Sequence, residues 1–576
     1  MQDTSRQRSG DIQLTNVKLL VSNPAARHVE TAAGDWIVSG FDPTAVTASL
    51  DDTTSLDDVV ERIRSLPGEY SVVFVDTRTP RVEAFRSITS AFDVFYCERP
   101  TDGAMVVGDH FRDVLAELPV ANRTVASSVP VEQLLLGGVP NASYVEEIGR
   151  LGHGERLDWT ADAPPETTLV DRLSVDERIE RSTAKRRLDR QLRAALGGDR
   201  FGEPVVTMLS GGVDSTLLHT YLDTEATVSA AFDSPEFEFE VDYARAASEL
   251  LGSTHELLSF EERAYREYLE SAIDAVGHPL LLPQTAMMHL VFRESDYQTY
   301  VNGLLADGLL GVGDAALAYL AQYLGPTAQL LPEFSGEAVA LKRTAEQIGR
   351  PATALDGSAM NFRIHANQAD VASIFGQDAV DAAKQKRLRY TAARIDVDTD
   401  AGYDAHMHLG HAIEYFHDVL TENWRHAAHA SGRSLSLPFC DRALLETVLA
   451  LPPADRYARF AVPPLDNPTH IVQAKYLSKD LLADRLPHYN TKQRKGHSLL
   501  PAQRFLESGP LSTIFETYPV PAFIPEEYHE FVRNGTEELS WYAANYAIWQ
   551  RRVLENDDLT TFETTRVFEF GAPTVR

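Results

Sequence analysis

Two glycines, three hydroxyls and one carboxylate fall within Leu209-Ser210-Gly211-Gly212-Val213-Asp214-Ser215-Thr216. The pattern suits phosphate binding. Gly211 and Gly212 let the backbone turn tightly and leave nothing to obstruct a ligand. Ser215 and Thr216 stand where a helix would begin, and a helix start offers unpaired N–H groups and partial positive charge, a ready cradle for pyrophosphate. A carboxylate at Asp214 makes sense inside such a nest if it holds a divalent cation that in turn binds phosphate oxygens. An ordinary strand-to-helix turn capped by Ser and Asp is the plainer reading of a bare Ser-Gly-Gly, but the complete string SGGVDS is far more specific. It differs from the Walker loop, which would place Lys after the second Gly.

The elements that must position this loop follow from the residues on either side. Val205–Leu209 carries only Thr207 as a polar side chain, as a central parallel strand would. Val228–Phe232 is a second strand, followed by an acidic loop at 236–242 and a helix Tyr243–Leu251 that stops at Gly252. Thr299–Asn302 reads as a further strand, and a charged helix over about 176–197 leads into the loop strand. Strands and helices alternating at this spacing predict a doubly wound parallel sheet, whose ligands lie beyond the carboxyl ends of the strands.

SGGVDS resembles the PP-loop of ATP pyrophosphatases, which cleave ATP between the α and β phosphates and form an adenylated intermediate. Gly303-Leu304-Leu305-Ala306-Asp307-Gly308-Leu309-Leu310-Gly311 resembles the second signature of the asparagine synthetase family. That resemblance implies ATP and Mg²⁺ as cofactors, with Leu209, Ser210, Gly211, Gly212, Asp214, Ser215, Thr216 and Gly303 around the pyrophosphate and Asp214 and Asp307 on the metal. Two carboxylates from two strand ends suit a hard cation that keeps several waters. Gly308 stands where the family has Glu, and Leu305 where it has Gly.

The helix from Glu422 to Gly432, followed by Pro438-Phe439-Cys440-Asp441, matches the family's helix and Pro-Phe-x-Asp turn. Glu422 lies sixteen residues before Pro438, the place of the catalytic Glu in the β-lactam synthetase branch, while Ser434 replaces the Glu of asparagine synthetase proper. Burial would fit Glu422 to act as a general base. The Tyr that the branch pairs with it is Leu304 here. Lys475 and Lys495 match family lysines that follow charge on the leaving pyrophosphate and the reaction centre. They stand out because the chain has nine Lys among 53 basic residues. His406, His408 and His411 crowd one segment, but a helix puts only the last two on one face, and they read as interface or surface histidines.

Short β-rich runs at 36–38, 70–75, 82–86 and 104–107 read as strands, with helices at about 55–66 and 110–117; the order around Val75-Asp76 and Arg86, then Phe95-Tyr96-Cys97 and a strand ending at Gly108-Asp109, resembles the second half of the glutamine amidotransferase domain of asparagine synthetases, as do Val131–Gly138 and Val145–Leu157. Gln2 and Asp3 occupy the end where that domain exposes a Cys nucleophile. The expected fold is therefore α+β then α/β. Residues 1–165 form an Ntn-hydrolase-like sandwich, a degenerate glutaminase without activity, and 175–555 a PP-loop doubly wound parallel sheet with a helical second half. Residues 158–180, rich in Asp, Thr and Pro, read as a linker.

At 576 residues two or three domains are expected. The net charge of −31 opposes nucleic-acid and anionic-membrane partners, and its spread along the chain resembles proteins of high-salt cytoplasms. Two cysteines, Cys97 and Cys440, exclude a disulfide framework. The expected reaction adenylates a small-molecule or peptide carboxylate, releases pyrophosphate and lets an amine attack. The alternatives are ammonia-dependent asparagine formation and a non-catalytic nucleotide-binding protein. A homodimer is compatible with the sequence, which fixes neither oligomeric state nor substrate.

Overall fold

The computed structural model describes residues 17–310, 366–396, 416–452, 472–491 and 501–570, with 455, 458 and 459, less gaps at 41, 77, 90–91, 175–176, 198–200, 202, 235–236, 417 and 474. Lys495 with its Arg-Lys-Gly turn, Gly311, the residues at 2–5, and His406, His408 and His411 lie outside the described residues.

The N-terminal part is built on two sheets. One is antiparallel, in the order Ala163–Leu169, Glu155–Thr160, Arg81–Arg86, Tyr70–Asp76, Asp35–Gly40, Arg27–Glu30. The other runs Arg566–Phe570, Val17–Val21, Met105–Gly108, Phe95–Glu98, Gly149–Arg150, with only the Val17–Val21 to Met105–Gly108 pair parallel. Alternation along each strand sends side chains to two different cores. Val73 and Val75 join Val17, Leu19, Met105 and Val107 between the sheets. Val72, Phe74, Trp36 and Val38 face the other way, onto the helix Leu56–Ser65, while Leu20 and Val106 pack toward the helices Phe111–Ala116 and Val129–Leu136. Both faces of both sheets are thus covered.

The second part carries a five-stranded sheet in the order Thr254–Phe260, Ala226–Phe232, Val205–Met208, Thr299–Val301, Ser434–Ser436, every pair parallel. Helices cover both sides: Arg181–Leu196, Val213–His219, Arg442–Ala450 and Tyr476–Arg485 contribute to one core, Tyr265–Val276, Gln284–Glu294 and Val419–Ala430 to the other. From Val205–Met208 the chain adds two strands on one side and then crosses to add two on the other. The reversal falls between Val205–Met208 and Thr299–Val301, and a crevice at such a switch point is where open α/β sheets bind ligands.

One expectation changes and two features go beyond the sequence reading. Residues 158–169 are not linker: they form the hairpin of Glu155–Thr160 with Ala163–Leu169 at a sheet edge. Pro164 and Pro165 are tolerated there because an edge strand needs fewer N–H donors, and the register shifts between Ala163 and Glu166. Thr254–Phe260, not foreseen, is an edge strand with mostly half-exposed side chains, so it lacks the apolar run that marks an inner strand. The second such feature concerns the C-terminal segment. Glu537–Trp549 packs into the core and Arg566–Phe570 completes an N-terminal sheet.

Candidate active site

The loop after Val205–Met208 is shaped by its glycines and hydroxyls. Leu209 N–H donates to Val228 O at 2.8 Å, tying the loop's start to the neighbouring strand. Gly211 has φ +72°, and a Cβ there would stand 2.3 Å from the Tyr243 backbone, so only glycine lets the loop pass the helix Glu238–Leu251. Ser210 and Ser215 hydroxyls meet at 3.0 Å, Ser210 N–H donates to Ser215 Oγ at 3.2 Å, and Gly212 N–H donates to Ser210 Oγ at 3.2 Å. The loop is pre-formed by its own side chains.

Gly303 brings the next strand end against it: a Cβ at 303 would lie 3.2 Å from Asp214 Cβ. Asp307, in the short helix Ala306–Leu310, faces the same space. Into it reaches Lys475, which has φ +53° and precedes the helix Tyr476–Arg485. Its Nζ is 2.5 Å from Asp214 Oδ2 and in direct contact with Asp307 Oδ1. Burial pulls the Lys475 ammonium down, but the carboxylates of Asp214 and Asp307 outweigh it and hold the amine above the ordinary lysine range. Tyr489 hydroxyl donates to Gly211 O at 2.5 Å, so the segment after that helix also closes on the loop.

The oxygen donors of this crevice fit Mg²⁺. Asp214 Oδ1 and Thr216 Oγ1 are buried without a hydrogen-bond partner, and two carboxylates converge on the ammonium of Lys475, which cannot itself coordinate.

Glu422 has its partners elsewhere. On the helix Val419–Ala430, its Oε2 is 3.2 Å from Arg150 Nη1 and its Oε1 3.2 Å from His278 Nε2. A guanidinium and an imidazole thus flank its two oxygens. Around Glu422 lies a buried ionic seam between the two parts of the chain. Asp418 Oδ2 takes Arg86 and Arg150 at 3.0 Å each, Asp93 Oδ1 takes Arg150 at 2.6 Å and Arg86 at 3.2 Å, and Glu69 takes Arg425 at 2.6 Å. Burial raises the Asp93 carboxyl to about 6 against the pull of Arg150 and Arg86.

The Pro-Phe-x-Asp turn belongs to this seam as well. Asp441 caps the helix Arg442–Ala450 by accepting from Leu444 N–H at 3.0 Å, and it also accepts from Gly68 N–H of the N-terminal part.

The comparison that decides the family is a match of residues 184–522, well over half the chain, to the family model described as Asparagine synthase. The chain belongs to the asparagine synthase family. Membership makes it an ATP-using, amide-forming ligase. None of the curated individual proteins matches it. The family match spans the loop, Gly303, Asp307, Glu422, Lys475 and Lys495, and begins beyond the N-terminal sheets.

Of the residues singled out in the sequence, the fold thus joins Asp214, Asp307 and Lys475 at the loop of Leu209, Ser210, Gly211, Gly212, Ser215 and Thr216, with Gly303 as the spacer. Tyr489, Arg150 and His278 were missed. A lone Tyr, Arg or His in a sequence carries no sign of what it will meet hundreds of residues away.

Proposed function

We propose that this family member is an AMP-forming carboxylate–amine ligase of the β-lactam synthetase and lasso-peptide cyclase kind, lacking glutaminase activity. The observation that carries it is Lys475 Nζ lodged between Asp214 and Asp307 at the switch point of the parallel sheet. In this reading Asp214 and Asp307 hold Mg²⁺, which when bound neutralises the phosphates and makes pyrophosphate a better leaving group. Backbone amides of the Ser210–Asp214 loop and the Ser215 and Thr216 hydroxyls bind the β and γ phosphates. The substrate carboxylate attacks the α phosphorus, its oxygen bonding there as the bond to the β-phosphate bridging oxygen breaks. Lys475, kept ionised by its two carboxylates, then turns to the charge that develops on the departing pyrophosphate and on the tetrahedral oxyanion formed when an amine attacks the acyl-adenylate. The attacking nitrogen gives up one proton to water, AMP leaves as its bond to the acyl carbon breaks, and an amide bond remains. Lys495, which resembles the family's phosphate-reaching lysine, supplies a second cation in the same step in this reading.

An amine is preferred to ammonia because Ser434 replaces the Glu of asparagine synthetase proper, while Glu422 stands at the place of the β-lactam synthetase Glu and Lys475 and Lys495 match family lysines. Exchange of labelled pyrophosphate into ATP tests the reading. Candidate acids should stimulate exchange in the wild type and fail to do so in Asp214→Ala. Binding of ATP without any exchange would favour a nucleotide-binding pseudoenzyme. Stimulation by aspartate with ammonia would favour the parent activity, and release of glutamate from glutamine would overturn the loss of glutaminase function.

A further inference from the structure

We propose that His278, Glu422 and His426 form a buried site for one borderline transition-metal dication of the Zn²⁺ type, at the seam between the two parts of the chain. Glu422 and His426 stand four residues apart on one face of the helix Val419–Ala430. His278 enters from the turn after Tyr265–Val276, just past Gly277 at φ +84°. One ligand atom from each lies within 4.8 Å of the others, and all three residues are buried.

Hydrogen bonding assigns the lone pairs. His278 Nδ1 is 3.0 Å from Pro279 O, which only accepts, so the proton sits on Nδ1; the Asn423 amide nitrogen at 3.4 Å from the same atom is a longer contact. That leaves His278 Nε2 as an acceptor, and it faces Glu422 Oε1 at 3.2 Å with no hydrogen bond between them. Two lone-pair donors so close repel unless a cation lies between them. A tetrahedral ion with bonds of about 2.1 Å separates its ligand atoms by about 3.4 Å.

Both ring nitrogens of His426 are also buried without a hydrogen-bond partner, although a neutral imidazole has a donor and an acceptor to satisfy. Neighbours hold the set in place, as outer residues do around metal ligands. Arg150 Nη1 is 3.2 Å from the second oxygen of Glu422, Asp93 Oδ2 is 3.6 Å from His426 Nε2, and the His110 ring stacks on His426 with centroids 4.2 Å apart. Two imidazoles and one carboxylate select zinc-like ions over Mg²⁺ or Ca²⁺. The guanidiniums of Arg86 and Arg150 offset Asp93 and Asp418, so the site has no surplus of anionic oxygen for a hard cation. None of the three residues touches Asp214, Asp307 or Lys475 in the contacts given above, and the test does not depend on the ligase reading.

Full-length protein dialysed against a chelator should bind one equivalent of Co²⁺ with the visible absorption of tetrahedral or five-coordinate nitrogen and oxygen ligation, and Zn²⁺ should displace it and raise Tm with saturation at one equivalent. His278→Gln and His426→Gln should each weaken Co²⁺ binding at least about tenfold, while Asp214→Ala should leave it unchanged. The proposal is overturned if wild-type protein shows no stoichiometric Co²⁺ band, if the band survives both histidine changes, or if Asp214→Ala removes it. Should the histidine variants not fold, the wild-type band and its persistence in Asp214→Ala decide, with Glu422→Gln as the gentler change expected to alter the spectrum. Absence of any metal effect would leave a His278–Glu422 ion pair as the account of the contact.

Discussion

Lys475 occupies the ground between two carboxylates that would otherwise repel one another. Lys475→Met should therefore have opposed effects. Mg²⁺ should support ATP binding at lower concentration, since no ammonium competes for Asp214 and Asp307, while pyrophosphate exchange should fall by about 10²–10³-fold for want of a cation at the developing charge. Magnesium titrations of ATP binding and of exchange measure the two separately. A second prediction concerns His289, on the helix Gln284–Glu294, where burial, aided by Arg293, lowers the imidazole to about 4. The folded state keeps it neutral while the unfolded chain takes up a proton below about 6.5, so stability is lost as pH falls from about 6.5 toward 4. The limit is about 3 kcal/mol for the full shift. His289→Asn should flatten the fall of Tm across that window relative to wild type. At this scale Asp214 and Asp307 were legible because each follows a strand with glycines at fixed offsets. The burial of Glu422 was not legible, because its partners Arg150 and His278 come from distant segments and leave no local pattern.

At the scale of elements, the loop is as much a property of its neighbours as of its own sequence. Gly211→Ala would force a Cβ to within 2.3 Å of the Tyr243 backbone and demand a left-handed φ of alanine, so the helix Glu238–Leu251 must shift or the loop must open. The expected cost is about 1–3 kcal/mol, read as a lowered Tm together with weaker ATP binding; an alanine variant with unchanged Tm and ATP affinity would show that the loop adapts freely. The strands carrying chemistry were readable from their apolar runs, and the helices around them from their periodicity and stop signals. The strand Thr254–Phe260 was not, because an edge strand with mostly half-exposed side chains looks like a loop. Residues 158–169 of the hairpin read as linker for a related reason: prolines and threonines are equally at home on a sheet edge.

At the scale of the molecule, the two parts are locked by charges taken out of water. Arg86 and Arg150 of the N-terminal sheets meet Asp418 of the second part, and Glu69 meets Arg425, all of them buried. Removing one member of such a set strands the rest, so Arg86→Met should cost about 3–5 kcal/mol. Because the pairs span both parts, calorimetry of the wild type should show one transition, and Arg86→Met should lower or split it. Two resolved transitions in the wild type would show that the parts unfold independently. The sequence reading divides the chain near residue 165; the strands of the parallel sheet run from Val205 to Ser436. Nothing in the composition of 510–576 showed that its last strand returns to the first sheet.

That return has a consequence for how the protein is made. Val17–Val21 pairs along one side with Arg566–Phe570, Val17 opposite Phe570 and Val21 opposite Arg566. A ribosome adding about 5–20 residues per second needs roughly half a minute to two minutes to reach the second strand after finishing the first. Throughout that interval the nascent N-terminal sheet presents an open edge of Val, Leu and one Lys, the kind of surface on which chains join edge to edge. That sheet is completed only once residues 566–570 have been made, and a chain cut short before them holds Asp214, Asp307 and Lys475 but an unsealed sheet.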